Sequence, residues 1–344
     1  MGLSRILKLS AMLAMVGVVL IGWWISGASK EKVRAVKEFY IDVSEFEHEF
    51  YPGGPKIMAW GFNRQIPGPV LRVTEGDRVR VHFVNHHTSN HTLHFHGLNV
   101  PNEMDGVAYG HMNHLEVKPG ETHTYEFVAD PAGTHMYHCH VNSPQHIDMG
   151  MVGVMIVEPK DKRAEPKVDK EQVLLLDDWY VNDKGDQEPM AHPAMIKDAN
   201  YFTVNGKSFP ATEPIKLAQG EKMRVRMINV GYQAHSMHLH GQSFVVTHKD
   251  GHPVKTPQEQ DTVLIGPDER YDLVFTATNP GLWLFHCHVV PHVTNDGAYP
   301  GGLLVPVVTA KQRKRRSRRG MPRLRQERLR YLTAGRVTTD RDET

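Results

Sequence analysis

Cysteine is scarce, with two residues in a chain of 344, and this excludes a scaffold held together by disulfides. Net charge is also lacking: 40 Lys+Arg stand against 39 Asp+Glu, so the whole chain is not a polyelectrolyte. Long apolar runs are confined to one, Leu9 to Ile25, which excludes a multi-span membrane protein. No stretch reads as a long amphipathic helix. Histidine is what the chain has in excess, at 23 residues, and with so few cysteines this directs attention to metal binding.

The ends differ from the body. Arg5 and Lys8 precede the apolar run, and Ser26-Gly-Ala28 follows it, so residues 1–29 read as an export signal or, if uncleaved, a membrane anchor with Trp23 and Trp24 at the interface. Either outcome places the body outside the cytoplasm, in a periplasm or the extracellular space. At the other end, residues 311–344 carry 13 basic against 4 acidic side chains, leaving 27 against 35 for the rest. The segment 309–344 reads as a basic, disordered tail and is assigned no nucleic-acid role.

The body is a duplication. The segment from Leu71 to Asn85 is echoed by Ile215 to Asn229, an offset of 144 that also carries His91, His94, His96 and Gly97 onto His235, His238, His240 and Gly241. His138-Cys139-His140 recurs as His286-Cys287-His288. A period this long means two whole domains, 38–158 and 171–308, joined by a Pro- and charge-rich linker, 159–170. Within each copy apolar residues alternate, as at Val79, Val81 and Phe83, between closely spaced turn signals. The expectation is an all-β fold of two Greek-key β-sandwiches.

Strand parity sorts the histidines, because residues two apart share a face. His94 and His96 share one face and His91 takes the other; His138 and His140 likewise oppose Cys139. One face of the first copy then offers His91 and Cys139, with His146 and Met151 downstream. Two imidazoles, a thiolate and a thioether make a His₂Cys site with a weak axial Met, the set copper accepts for one-electron transfer, and it reads as a type 1 blue copper site. The opposite faces of both copies offer eight imidazoles: His94, His96, His138, His140, His238, His240, His286 and His288. Eight suit a copper cluster, which must form where a first domain meets a second, within or between chains.

Around these residues, Thr-Leu-His94-Phe-His96-Gly, Tyr-His138-Cys-His140, Met-His238-Leu-His240-Gly and Phe-His286-Cys-His288 resemble the four copper motifs of multicopper oxidases. Ile66-Pro-Gly-Pro69, the run Leu174 to Trp179 and the run Val204 to Pro210 support the likeness, which covers about residues 38 to 308. The chain is most similar to the two-domain, laccase-like subgroup. That resemblance implies cupredoxin domains, about four coppers per chain, dioxygen as acceptor, a small-molecule or redox-protein donor, and a homotrimer. It also implies type 2 ligands His94 and His238, and type 3 ligands His96, His138 and His288 on one ion with His140, His240 and His286 on the other. Asp105 matches the carboxylate that assists proton delivery.

The second copy repeats His₂Cys as His235, Cys287 and His292, but the residue five beyond His292 is Gly297, where the first copy has Met151. The sequence leaves open whether this is a second type 1 copper, which would bring the count to five, or a vestigial site with Cys287 as a core thiol. His111 and Met112 are candidates for an entrance, whereas His114 reads as a surface or core residue. His48, His82, His86, His87, His123, His135, His192, His248 and His252 have no partner at ligand spacing and read as surface or core residues. Phenols and aromatic amines are the expected donors, with copper nitrite reductase and a cuprous or ferrous oxidase as rival readings. The 16 methionines form no Met-rich run, which weakens the cuprous-oxidase reading.

Overall fold

A computed structural model describes residues 36–107, 116–188, 191–192, 195–196 and 198–311. The N-terminal segment, the basic tail, His111, Met112 and His114 lie outside the described residues. Among the described residues no helix is long and apolar enough to cross a membrane. The longest α-helix among them is the six-residue Ser143–Asp148.

Each half is a pair of sheets. In the first half, one sheet runs Lys56–Phe62, Lys37–Glu49, Arg78–Asn85, Thr122–Val128, and the other Gly68–Thr74, Val152–Glu158, Gly133–His138, His94–His96. The alternation noted at Val79, Val81 and Phe83 buries all three in the core between these sheets, with Phe95, Tyr125 and Tyr137. The second half repeats the plan. Lys170–Trp179, Lys222–Asn229 and Arg270–Thr276 are central to one sheet, and Gly281–Cys287 and His235–Leu239 pair in the other. In each half a parallel pair joins strands distant in the chain, Gly68–Thr74 with Val152–Glu158 and Ile215–Ala218 with Leu304–Ala310, as sandwich crossovers require.

The halves are welded, not merely linked. Met136, Val154 and Ile156 of the first pack with Leu175, Ile228 and Val230 of the second, and Phe46, Phe50 and Ile66 pack with Trp179. Glu165, within the predicted linker, is ion-paired to Arg224 Nη2 at 2.6 Å and to His248 Nε2 at 3.3 Å. The bond from His248, helped by Arg224, holds its carboxyl at about 2, against an ordinary 4.5. A depressed carboxylate contributes stability that is fully present above its unfolded value and is lost as pH falls through the folded one. Denaturant unfolding should therefore show Glu165→Gln less stable than the parent at neutral pH, with the gap closing between pH 4.5 and about 2. A gap independent of pH over that range would refute the assignment.

Candidate metal centres

The antiparallel pairing of His94–His96 with Gly133–His138 sets His94 opposite His138, and the pairing of His235–Leu239 with Gly281–Cys287 sets His238 opposite His286. Each strand pair then presents imidazoles on one face and a thiol on the other, as parity requires.

In the first half the thiol face is fully enclosed. Cys139 Sγ lies 3.1 Å from His146 Nδ1 and 3.5 Å from His91 Nδ1, and all three residues are buried. Met151 is tied to the same spot by its backbone: its N–H donates to His146 O at 3.1 Å, and its carbonyl accepts from the Cys139 N–H at 3.2 Å. Its side chain is fully buried. Burial holds His91 at about 3 and His146 at about 4, so both rings are neutral, the form that ligates metal. The donor chemistry fits copper: two imidazole nitrogens and a sulfur converge in a dry site, and the buried Met151 follows on the same turn of backbone.

The outer nitrogen of His91 is held by a residue that spacing did not single out. His91 Nε2 is 2.8 Å from His87 Nδ1, and His87 Nε2 is 3.1 Å from Glu45 Oε1. His87 is thus a buried support that aims His91 Nδ1 at the sulfur, and its position four residues before His91 was the available signal. Trp60 covers this group, its ring 4.3 Å from that of His87 and 5.2 Å from that of His146.

The imidazole faces are more open. His94, His96 and His138 converge within 4.8 Å, as do His238, His240 and His288. His240 Nε2 and His286 Nε2 lie 2.9 Å apart, and the rings of His138 and His140 stack. Among the described residues the close ring pairs fall within each set of four and none joins the two sets. Burial, reinforced by Arg270 and neighbouring imidazoles, lowers His96 to about 4; burial likewise lowers His138 to about 3.

Backbone carbonyls select which nitrogen each ring presents. His94 Nδ1 donates to Asp105 O at 2.8 Å, with Asp105 Oδ1 at 3.3 Å, and His238 Nδ1 donates to Asp261 O at 2.9 Å. His138 and His286 donate Nδ1–H to the carbonyls of Cys139 and Cys287 at 3.0 and 2.9 Å. These rings therefore offer Nε2 outward. Asp105 is brought against His94, and Asp261 is its counterpart in the second half, which the repeat offset did not reveal. Gly106 makes the approach possible: at φ +72° a Cβ there would sit 1.9 Å from Leu93 O.

In the second half His235, Cys287 and His292 are also brought together and buried. One expectation needs correction. The position matching Met151 is Leu303, not Gly297, because the Cys287 N–H bonds to Leu303 O at 3.1 Å and the Leu303 N–H to His292 O at 2.8 Å, as Met151 does in the first half. The segment between His292 and this position is longer in the second copy, so counting five residues stops in a turn at Gly297, where φ is +76°.

Fold and donor sets together define a two-sandwich protein built to hold copper at thiolate and imidazole sites. Multicopper oxidase models match residues 46–162 and 183–300. The multicopper oxidase MmcO of Mycobacterium tuberculosis is 31% identical over 258 residues, 65% of this chain and 49% of that protein. The crystal structure of a blue copper oxidase from Nitrosomonas europaea superposes with a TM-score of 0.73 at 38% identity, covering 80% of this chain and 86% of that one. The copper-containing nitrite reductase of Neisseria gonorrhoeae is 30% identical over 255 residues, 71% of this chain and 62% of that protein. The chain belongs to the multicopper oxidase family, and its fold is cupredoxin-like. It spans about half the length of MmcO.

Proposed function

We propose that this chain is a laccase-like oxidase that takes single electrons from phenols, aromatic amines or similar donors and passes them to dioxygen, giving water. The observation that carries this reading is the pair of four-imidazole sets on strand faces that back directly onto His₂Cys sites. A nitrite reductase arrangement needs one catalytic copper per interface, and eight imidazoles exceed that need. Bound copper supplies the one-electron chemistry and the affinity for dioxygen.

His91, Cys139, His146 and Met151 would hold the type 1 copper. His94 and His238 would hold the type 2 ion, and His96, His138, His288, His140, His240 and His286 the type 3 pair. Cys139 is bonded through backbone to both His138 and His140, so the buried sulfur and the open imidazole face are joined by a few covalent bonds. The His138–Cys139 carbonyl hydrogen bond shortens that route further. Asp105, one-third exposed and beside His94, is placed to take protons from water and deliver them where oxygen is reduced. Among the described residues no close ring pair joins the two sets of four, which supports clusters completed by a neighbouring copy in a closed homotrimer. We place the protein outside the cytoplasm, directed there by residues 1–29.

Purified with copper and air, the protein should hold about four to five coppers per chain and consume dioxygen when given an aromatic donor. About two coppers, with nitrite turnover and no dioxygen uptake, would favour the nitrite reductase reading instead.

A further inference from the structure

We propose that the outer face of the second sandwich carries a binding pocket for a compact, hydroxyl-rich ligand, a mono- or disaccharide, apart from every candidate copper ligand. One sheet of that sandwich builds it, so it stands whether or not the oxidase reading does.

Strand alternation puts Asp272, Val274 and Thr276 on one face of the strand Arg270–Thr276. Asp272 is covered there by Thr134 of the first half, and Arg224, the neighbour of Val274 across the sheet, is covered by Glu165 and the Pro166 carbonyl of the linker. Past these contacts the face opens into a cavity of about 550 Å³. That volume is in the range of small-molecule sites. Val274 and Val245, paired across adjacent strands and half-buried, give the cavity an aliphatic floor. Ser243, Thr276 and Thr278 bring hydroxyls to its walls.

Three polar groups around this floor lack partners. The Gln242 amide is shielded from solvent, and among the described residues neither its nitrogen nor its oxygen has a hydrogen bond. An amide left unpaired in this way is costly, and a hydroxyl, which both donates and accepts, satisfies either atom. Gln242 lines the cavity, so rotation about its side-chain bonds is enough to bring the amide to a ligand. Lys222 and Glu259 stand at opposite ends, on strands three spacings or about 14 Å apart, and neither has an ion-pair partner among the described residues. One cation and one anion cancel, which disfavours a phosphate-bearing or other strongly charged ligand. The aromatic residue at the cavity, Phe275, is buried in the core, so no ring is offered for stacking. A sugar matches what is left: its C–H face lies on the two valines while its hydroxyls meet the amide, the Ser and Thr side chains and the two charged ends.

The test is saturation-transfer NMR with glucose, maltose and cellobiose on the copper-loaded full chain, with affinities from isothermal titration calorimetry. At least one sugar should bind with millimolar affinity or better. Gln242→Ala should weaken that binding by about tenfold, the loss expected when hydrogen bonds to a neutral ligand are removed. Val274→Trp, which fills the cavity from its floor, should abolish it while leaving copper content and dioxygen uptake at the parent's level. Thr276→Trp fills the same space from a different position, so agreement between the two separates loss of the cavity from loss of the fold. No transfer from any of the three sugars at tens of millimolar, or binding that survives both filling variants, would overturn the inference. Either result would leave the oxidase reading untouched, since that reading is decided by copper content and dioxygen uptake.

Discussion

Chains with His94→Ala and His96→Ala, and separately chains with His286→Ala and His288→Ala, should each lose dioxygen turnover by on the order of 100-fold or more, yet recover it when assembled together. Each variant destroys one four-imidazole set and leaves the other whole. The sets lie in different sandwiches of the same chain, with no close ring pair between them among the described residues. Several of the rings are part-exposed, and His288 is open to solvent, unlike the enclosed His₂Cys sites. A cluster completed between copies pairs an intact first set from one variant with an intact second set from the other. Every ring of three that contains both chains has one intact interface out of three, so activity should return to about a third of the parent. The comparison is made by co-expressing the two variants under different tags and purifying the doubly tagged assembly. No recovery in an assembly shown to contain both chains would mean that the cluster forms within one chain or does not form.

Replacing Asp272 by Ala should cost about 3–5 kcal/mol of stability, because it removes one of the two carboxylates that hold a buried guanidinium together with the acceptor of the buried Thr134 hydroxyl. Arg226 Nη1 meets Asp272 Oδ2 at 2.8 Å, and Thr134 Oγ1 donates to Asp272 Oδ1 at 2.6 Å. Arg226 also donates to Thr134 Oγ1 at 2.8 Å, and its Nε pairs with Glu171 Oε2 at 2.8 Å. The Arg226 and Asp272 side chains are 4% and 2% exposed, so water cannot replace a lost partner. Thr134 belongs to the strand that leads into His138 and Cys139, and Asp272 and Arg226 belong to the second half. The triad therefore fastens the strand that bears the metal ligands to the neighbouring sandwich. Denaturant unfolding should show the loss, and Lys56→Ala, which breaks an exposed pair with Glu47, should show none. An Asp272→Ala protein within about 1 kcal/mol of the parent would refute the argument.

Much of the site could be read from spacing. His94 with His96, and His138 with His140, share faces because a strand alternates, and the same rule sent His91 and Cys139 to the other side. The repeat exposed the second set for the same reason. What spacing missed sits on other strands and loops. His87 passed as a solitary histidine, although its ring holds His91. Asp178 lay in a run quoted only as a family likeness, yet it meets His235 across 57 positions. Asp261 reaches His238 from a separate strand connection. Gly297 was matched to Met151 by counting, and the count failed because the two copies differ in the length of the segment that returns to the core.

The sequence by itself determined the periodic features: two all-β copies, the sorting of imidazoles from thiols by face, and donor sets that suit copper. These follow from the geometry of a single strand, which any extended segment carries locally. Only the tertiary structure decided which strands pair, that Leu303 rather than Gly297 bonds to the Cys287 backbone, which carbonyl or carboxylate holds each ring, and that the halves are locked through Arg226, Asp272 and Thr134. Apart from the bonds of His138 and His286 to the next carbonyl, those are contacts between residues 11 to 138 positions apart. They depend on loop lengths and on packing between sheets, and local periodicity carries no record of either.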